Sequence, residues 1–257
     1  MEVSVRPKLD HQQGRSLAMD VKKLQTDSVR SFLVANTFIG SLPGDAVDTL
    51  MRAGHIRRYP KGAPLFERGD DADSLLLIMS GRVKISNITT DAREVVLNFL
   101  GSGDIIGEIA SLDSGARTAS AMAHQDTQIF QLYRRDLLPV LTQHPAALLE
   151  IIQLLCERLR VISGLVEDNL RDMRGRFAAG ILRLATQHGR RTPRGIEIDL
   201  AVNQRDLGNY VGLSRENTNR QISRFTCEGV IRISDGLLTI VNESALVALT
   251  EPANENV

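Results

Sequence analysis

The sequence is poor in cysteine and has no long apolar segment. Its two cysteines, Cys156 and Cys227, are too few for a disulfide framework, a four-cysteine iron–sulfur site or a zinc knuckle. No stretch reaches the roughly 18 apolar residues that a membrane span needs. The polar, mixed-charge residues 1–20 do not resemble a secretory signal. These absences predict a cytosolic protein with no membrane contact.

Catalytic and metal-binding patterns are also missing. The 5 histidines show no metal-ligand spacing such as His-x-x-x-His, and no axial-ligand set for a haem can be identified. No nucleophile stands beside a base in a recognisable arrangement. We therefore predict that the protein is not an enzyme and binds no metal, haem or iron–sulfur cluster.

The absence of net charge hides an uneven distribution. The chain holds 31 basic and 31 acidic residues, but residues 171–232 hold 12 Arg against 6 Asp/Glu, a charge of +6. Residues 233–257 hold 4 acids and no basic residue, and residues 1–170 are close to neutral. Chance clustering on a solvated surface would explain this. A basic, nucleic-acid-binding module would explain it equally well, and the motifs must decide.

The middle of the chain has a sequence pattern typical of β-strands. Short apolar runs alternate with Gly and Asp turns, which is typical of an all-β barrel, roll or sandwich. A short helical pattern over Phe32–Leu50, broken at Leu42-Pro43-Gly44, precedes it. The predicted strands are Leu75–Met79, Val83–Ile88, Glu94–Leu100, Ala119–Ala123 and Gln128–Tyr133.

After Pro145 the apolar period becomes helical. Seam residues recur at alternating spacings of three and four, the heptad pattern of a coiled coil. They are Ile152, Leu155, Leu159, Ile162, Val166, Asn169 and Met173. The pattern predicts a helix of roughly 30 residues, about 45 Å long. The stripe could pack on its own β domain, but a parallel two-fold dimer is favoured because one domain could not cover the whole seam.

The basic segment begins with a second helix and a loop. Asp172 is a reasonable N-cap for a helix that buries Phe177 and Ile181, and a loop is predicted over Gln187–Gly195. Ile196, Ile198 and Leu200 then alternate as a strand. Two short helices and a hairpin, Val230–Ile233 with Leu237–Val241, complete the segment.

The two short helices read as a helix-turn-helix. Asn203 can cap Gln204–Val211, Gly212 suits a turn with positive φ, and Ser214 can cap the second helix. Thr218, Ile222 and Phe225 form that helix's buried stripe. Its opposite face carries Arg, Glu and Asn, the side chains that read base edges in the major groove. These residues are Arg215, Glu216, Asn219, Arg220 and Ser223. The alternative is an ordinary helical hairpin with a charged face.

The helix-turn-helix has the sequence Asp206-Leu-Gly-Asn-Tyr-Val-Gly-Leu-Ser-Arg-Glu-Asn-Thr-Asn-Arg220 and is followed by Glu228-Gly-Val-Ile231. This segment resembles the winged helix of the cyclic-AMP receptor protein/fumarate–nitrate regulator (Crp/Fnr) family. The resemblance implies base contacts from Arg215, Glu216 and Arg220. It implies phosphate contacts from Ser214, Asn203 and Arg205, and a palindromic, TGTGA-like site under a dimer. Asn217, where threonine is usual, and Thr218, where valine is common, depart from the family and affect the outer base preferences.

The β region carries a second motif, Gly107-Glu-Ile-Ala110 followed by Arg117-Thr-Ala119. A cyclic nucleotide offers one phosphate anion and a ribose 2′-hydroxyl, which suit an arginine and a carboxylate respectively. The Thr118 hydroxyl and nearby backbone N–H groups could complete an anion site. Taken alone, a surface ion pair is the commoner explanation of such a Glu and Arg.

The surrounding turns extend the resemblance over residues 32–241. They are Gly62-Ala-Pro-Leu-Phe66, Gly69-Asp70, Ser80-Gly-Arg-Val-Lys84 and Gly103-Asp-Ile-Ile-Gly-Glu108, and they are similar to the family's β-roll. The resemblance implies that Gly107, Glu108, Arg117 and Thr118 bind a cyclic nucleotide. Leu97, Ile109 and Ala110 are plausible cavity wall.

The resemblance leaves the purine contacts open. The family's Thr-Ser pair on the long helix aligns with Ile162-Ser163, so only the serine hydroxyl remains, and Arg158 falls near the pocket. Thr118 is the residue type that some cyclic-GMP-binding relatives use on guanine. Cyclic AMP is the first choice and cyclic GMP the second, while a cassette that binds no nucleotide remains an alternative.

We predict an α+β protein: a dimeric transcription regulator that binds double-stranded DNA and RNA polymerase under cyclic-nucleotide control. The predicted parts are a tail (1–28), a cyclic-nucleotide-binding-like β-roll (29–143), a dimerisation helix with hinge (144–174), a winged helix-turn-helix (175–245) and an acidic tail (246–257). Two alternatives remain. One is a family member that answers another effector or none, and the other is a nucleotide-binding regulatory subunit that acts on a protein.

Overall fold

The computed structural model describes residues 26–250 apart from 201–202 and 235. In chain order it contains a β-roll with flanking helices, a long helix and a winged helix-turn-helix. This arrangement confirms the predicted α+β class. Within the described residues, no helix has the length and apolar character needed to span a bilayer.

The β-roll consists of two antiparallel four-stranded sheets, ordered β1-β8-β3-β6 and β2-β7-β4-β5. Five of these strands, β3, β4, β5, β7 and β8, confirm the predicted ones to within one residue at each end. The bounds are β1 His55–Tyr59, β2 Pro64–Phe66, β3 Ser74–Ser80, β4 Val83–Ile88, β5 Glu94–Leu100, β6 Ile105–Ile106, β7 Ser120–Ala123 and β8 Thr127–Tyr133.

Helices cover the β1-β8-β3-β6 sheet. Helix α1 covers residues 26–36 of the described chain, and a 3-10 turn, Phe38–Ser41, links it to α2, Gly44–Ala53. The predicted interruption is therefore longer than Leu42-Pro43-Gly44, because Thr37 caps the intervening turn through Ile39 N. Three more helices complete this part: α3 Glu108–Asp113, α4 Arg134–Gln143 and α5 Pro145–Asp168.

The described C-terminal part contains four helices and a four-stranded sheet of order β11-β12-β10-β9. Its core includes the fully buried rings of Phe177 and Phe225, 5.2 Å apart between centroids. The elements are α6 Met173–His188, β9 Gly189–Thr192, β10 Gly195–Ile198, α7 Gln204–Val211, α8 Arg215–Cys227, β11 Ile231–Ser234, β12 Leu237–Ile240 and α9 Glu243–Ala248.

The predicted 30-residue seam is wrong at its C-terminal end. Helix α5 has 24 residues and ends at Asp168, so Asn169 is its C-cap rather than a seam position. Met173 begins the next helix, which Asp172 caps by accepting a hydrogen bond from Gly175 N at 2.7 Å. The buried Asp168 carboxylate accepts from Arg171 and Arg183. These local contacts favour a turn where the apolar spacing alone predicts a continuing helix.

The loop predicted over Gln187–Gly195 is also wrong. Helix α6 continues to His188, and Gly189–Thr192 forms an edge strand whose backbone pairs with β10. The strand predicted from Ile196 to Leu200 ends at Ile198. A strand of polar residues such as β9 has no alternating apolar pattern. The sequence therefore does not distinguish it from a loop, and only its backbone pairing identifies it as a strand.

Both predicted tails extend beyond the described residues. Residues 1–25 and 251–257 lie outside them, whereas 26–28 belong to α1. The predicted acidic tail begins inside α9, where Leu246 is fully buried in the winged-helix core. Leu246, with the partly buried Leu249, therefore packs with the C-terminal part of the structure.

The winged helix-turn-helix packs against the β-roll through strand β5. Phe99 is buried between His124 of the roll, at 5.1 Å, and Tyr210 of α7, at 5.9 Å between ring centroids. Arg82, after β3, donates to His188 Nδ1 at 3.0 Å and to the Asp199 carbonyl at 2.5 Å. The two parts therefore share an interface with apolar and charged contacts.

Acid should weaken this interface through His188. Burial, and then the neighbouring Arg82, lower the pKa of His188 from 6.5 to about 4. The unfolded chain then takes up a proton between these two pH values while the folded chain does not, so stability falls as pH drops through that window. After allowance for solvent screening, we expect a loss of about 1 kcal/mol by pH 5.

This expectation can be measured by urea unfolding at pH 7 and pH 5, with His188→Gln as the comparison. The wild type should lose more stability on acidification than the variant. An equal loss in both proteins would show that His188 is not responsible.

Candidate functional site

A half-open cavity of about 140 Å³ lies between strands β4 and β5, helix α3 and the long helix α5. Eight of the nine predicted ligand residues line it. They are Leu97, Gly107, Glu108, Ile109, Ala110, Arg117, Thr118 and Arg158. The ninth, Ser163, is exposed and is not part of this wall; its hydroxyl donates to the Leu159 carbonyl at 3.0 Å.

Gly107 and Arg117 form the polar end of the cavity. Gly107 has a φ of 76°, a left-handed conformation that glycine adopts without strain. A Cβ at this position would lie 2.0 Å from Arg117 Nη1. The guanidinium donates to the Gly107 carbonyl at 2.9 Å and to the Ser74 carbonyl at 2.8 Å. Glycine is therefore required here both for the backbone turn and for the position of the arginine.

The Arg117 guanidinium is a buried cation. Its Cζ lies 4.2 Å from the Phe66 ring centroid, and the residue is only 6% exposed. Within the described part of the chain it forms no ion pair, and its Nε is buried without a hydrogen-bond partner. Burial lowers the pKa of the Arg117 guanidinium, although the charges of Asp73 and Glu108 offset part of this effect. A bound anion would compensate this charge.

Glu108 is buried as well, but it has a cationic partner. Its carboxylate accepts from Arg158 of α5, and the same guanidinium donates to the Ile105 carbonyl. The contact joins the cavity to the long helix, 50 residues further along the chain. Any ligand hydroxyl that binds Glu108 would therefore do so beside, or in place of, Arg158.

The opposite wall of the cavity is mostly apolar and includes residues that the motifs do not identify. Val161 and Ile162 reach it from α5, so Ile162, a predicted seam residue at the position of the family's purine-contacting threonine, also lines the cavity. Asn98 contributes a polar side chain, whose Oδ1 accepts from Phe99 N at 2.8 Å. Its only sequence signal is a polar residue inside the apolar run of β5.

The helix-turn-helix has the predicted caps. Asn203 Oδ1 accepts from Asp206 N at 2.8 Å, and Ser214 Oγ accepts from Asn217 N at 3.2 Å. Gly212 has a φ of 67° and ends α7. Thr218 Oγ1 donates to the Ser214 carbonyl at 2.9 Å, which satisfies this polar residue at its inward position.

The predicted DNA-contacting side chains lie on one accessible surface. Six of them are exposed: Asn203, Arg205, Ser214, Arg215, Glu216 and Arg220. Asn219 is only half-buried and less accessible than the others. Arg220 donates to Glu216 at 3.0 Å, whereas no ion pair of Arg215 occurs within the described residues. This surface combines hydrogen-bond donors and an acceptor at the N-terminal turns of α8.

Helix α5 exposes an apolar stripe. Leu159 is 64% exposed and Val166 is 61% exposed, with Ile152 and Ile162 beside them. Leu155 is partly buried against the roll. Exposed aliphatic residues in a continuous row are unusual on a monomer surface and typical of a protein interface.

Two family models match the two parts of the chain. A cyclic nucleotide-binding domain matches residues 56–144, and a Crp-like helix-turn-helix domain matches residues 175–249. The cyclic AMP receptor protein of Thermus thermophilus is 33% identical over 212 residues, which cover 82% of this chain and 94% of that protein. The chain belongs to the Crp/Fnr family of transcription regulators. This member has both a cyclic nucleotide-binding domain and a helix-turn-helix domain.

Two solved structures share the fold of this Crp/Fnr regulator. A CooA mutant from Carboxydothermus hydrogenoformans is 22% identical with a TM-score of 0.67, covering 78% of this chain and 89% of its own. The c-di-GMP-responsive regulator CLP of Xanthomonas campestris is 23% identical with a TM-score of 0.66, and the match covers 77% of this chain and 99% of the CLP chain. At these identities the likeness concerns the fold alone.

Proposed function

We propose that this regulator is a dimer that binds a palindromic, TGTGA-like DNA site under allosteric control by a cyclic nucleotide, cyclic AMP first and cyclic GMP second. The observation that carries the proposal is the buried Arg117 guanidinium, which has no anionic partner in the described structure and faces the cavity. Burying an uncompensated charge is costly, so a phosphate is the chemical group that fits this position.

The other cavity residues suit the rest of a cyclic nucleotide. Glu108 can accept a hydrogen bond from the ribose 2′-hydroxyl, where it would share its carboxylate with Arg158. Leu97, Ile109 and Val161 offer an apolar surface to the purine. Thr118, also on the cavity wall, is the residue we assign to guanine in the cyclic GMP alternative.

The exposed surface of α7 and α8 would make the DNA contacts. Arg215, Glu216, Asn219 and Arg220 would read base edges, because α8 presents them from its N-terminal turns. Asn203, Arg205 and Ser214 would bind phosphates. Contact with RNA polymerase, and a cytosolic location, are proposed from the family resemblance.

The apolar stripe of α5 would form the dimer interface. Nucleotide would reposition this helix and the turn after it, residues 169–172, so that two recognition helices lie about 34 Å apart, one DNA turn. This is a population shift, and it requires tighter nucleotide binding to the DNA-competent arrangement.

Leu159→Asp is expected to disrupt the dimer. It places a charge in the most exposed part of the stripe without altering the cavity wall. Sedimentation at micromolar concentration should show a dimer for the wild type and a monomer for the variant. Exposed Leu170→Asp, beyond the end of α5, serves as the control and should remain dimeric. If Leu159→Asp dimerises with the same affinity as the wild type, the proposed interface is contradicted.

Isothermal calorimetry with cyclic AMP and cyclic GMP, with and without a TGTGA-type palindromic duplex, tests the effector. We expect cyclic AMP to bind, and to bind more tightly when the duplex is present, since allosteric coupling is reciprocal. Heat from neither nucleotide would favour another effector, and c-di-GMP is the first to try because CLP responds to it. Nucleotide binding with no affinity for any duplex would favour a regulatory subunit that acts on a protein.

A further inference from the structure

A charged cluster joins the β-roll to the first helix of the helix-turn-helix. Lys84 Nζ of β4 lies 2.8 Å from Glu94 Oε1 of β5 and 3.1 Å from Asp206 Oδ1 of α7. Asn209, also on α7, donates to Glu94 Oε2 at 2.9 Å. Lys84 and Asp206 are both buried, at 8% and 7% exposure. A buried cation between two carboxylates from different parts of the molecule is a specific contact rather than a solvated surface pair.

The cluster reaches a residue that we assign to DNA. Asp206 Oδ2 accepts from Asn203 Nδ2 at 2.8 Å, while Asn203 Oδ1 caps α7 through Asp206 N. The amide of Asn203 is thus held in place by the same carboxylate that Lys84 binds. The predicted phosphate contact is two hydrogen bonds away from a strand of the β-roll.

Strands β4 and β5 also form a wall of the nucleotide cavity. Successive side chains of a strand point to opposite faces. Ile85 and Asn98 line the cavity, while their neighbours Lys84 and Phe99 contact α7. One layer of backbone therefore separates the cavity from the helix-turn-helix.

We propose that Lys84 is a positioning residue for DNA recognition: through Asp206 and Asn203 it holds the helix-turn-helix on the β4–β5 layer in the orientation that binds DNA. The inference rests on the proposed function. The predicted DNA-contacting residues of α7 and the start of α8 remain exposed while Lys84 and Asp206 are paired, so this contact is compatible with DNA binding. A nucleotide bound on the cavity face of β4 and β5 would contact the same two strands that hold the helix-turn-helix on their other face.

The test uses the full chain and four variants. Lys84→Met removes the charge at similar length, and Lys84→Arg keeps it. Glu94→Gln weakens the cluster without leaving the lysine unpaired, and so covers the case in which Lys84→Met does not fold. Asp48→Asn is the control, because it removes an ion pair with Arg30 that joins α2 to α1 and does not involve the helix-turn-helix. Thermal unfolding checks each fold.

The measured quantities are the duplex Kd at zero and saturating cyclic AMP, and the cyclic AMP Kd without DNA. Lys84→Met should weaken duplex binding at saturating nucleotide by about 10-fold, within the range of allosteric couplings. Its nucleotide Kd without DNA should rise by no more than about the same factor, because the nucleotide binds the DNA-competent arrangement more tightly and that arrangement is the one destabilised. Glu94→Gln should show a smaller loss of the same kind. Lys84→Arg and Asp48→Asn should bind DNA like the wild type.

Folded Lys84→Met with wild-type duplex affinity would overturn the inference, as would an equal loss in Lys84→Arg. If Lys84→Met unfolds, wild-type duplex affinity in Glu94→Gln overturns it. In each of these cases the proposed function stands, because the wild type still responds to nucleotide. A wild-type protein that binds no duplex with or without nucleotide would overturn both.

Discussion

Replacing Arg117 with alanine should lower the affinity for cyclic AMP by about 100-fold or more. The guanidinium is the buried cation of the cavity, and charge-assisted hydrogen bonds to a phosphate are worth about 1.5–3 kcal/mol each. Calorimetric titration of the full chain measures the change. In the same variant the duplex affinity should no longer respond to cyclic AMP.

Two further variants separate binding from folding. Alanine at position 117 leaves the Gly107 and Ser74 carbonyl groups without their donor, so a moderate loss of stability is expected as well. Arg117→Lys keeps the charge but loses the two-pronged geometry, and should bind more weakly than the wild type. Gly107→Ala retains every polar group but displaces Arg117, and should also lose nucleotide. Tight nucleotide binding by folded Arg117→Ala would show that the cavity is wrongly assigned.

Arg215→Ala should cost about 1–3 kcal/mol of duplex affinity and relax the choice of base at one position in each half-site. Arg215 is exposed at the first turn of α8, and within the described residues no carboxylate pairs with it. Its guanidinium is therefore available for a guanine. Anisotropy titrations with duplexes substituted at single positions measure both the loss and the relaxation.

The matched control for this prediction is Arg58→Ala, since Arg58 is an exposed arginine on β1, in the sheet that does not contain β5. It should leave duplex affinity nearly unchanged. Equal effects of the two substitutions would mean that α8 does not read the site. Wild-type affinity in Arg215→Ala would favour a regulatory subunit that acts on a protein.

The local parts of the candidate site could be predicted from sequence. Asn203, Ser214 and Asp172 cap helices through backbone groups three residues away, so each signal is complete within a short window. Gly107 and Arg117 are close in sequence as well as in space. A side chain whose partner lies in the same segment leaves a readable pattern.

Contacts between distant segments left no such pattern. Lys84 and Asp206 are 122 residues apart, and neither is unusual among its neighbours in sequence. Asn169 falls on the heptad spacing by coincidence. The spacing does not show that the Asp168 carboxylate accepts a hydrogen bond from Arg183, a contact that helps the chain turn there. Ser163 aligned with a purine contact, yet its side chain does not reach the cavity wall of its own chain.

The zero net charge now has a structural meaning. The arginines of residues 171–232 include those of the exposed α7–α8 surface, while the acidic residues elsewhere offset them. A neutral molecule has weak long-range attraction to DNA, so affinity must come from correctly placed local contacts. A ligand can control the position of the helix-turn-helix, and through that position the affinity for DNA.

The most direct test of the account is the duplex Kd of the wild-type protein, measured by fluorescence anisotropy with and without saturating cyclic AMP. The account predicts at least about 10-fold tighter binding to a TGTGA palindrome when the nucleotide is present. It predicts much weaker binding to a scrambled duplex in both conditions. Equal affinity for the two duplexes, unchanged by cyclic AMP or cyclic GMP, would contradict it.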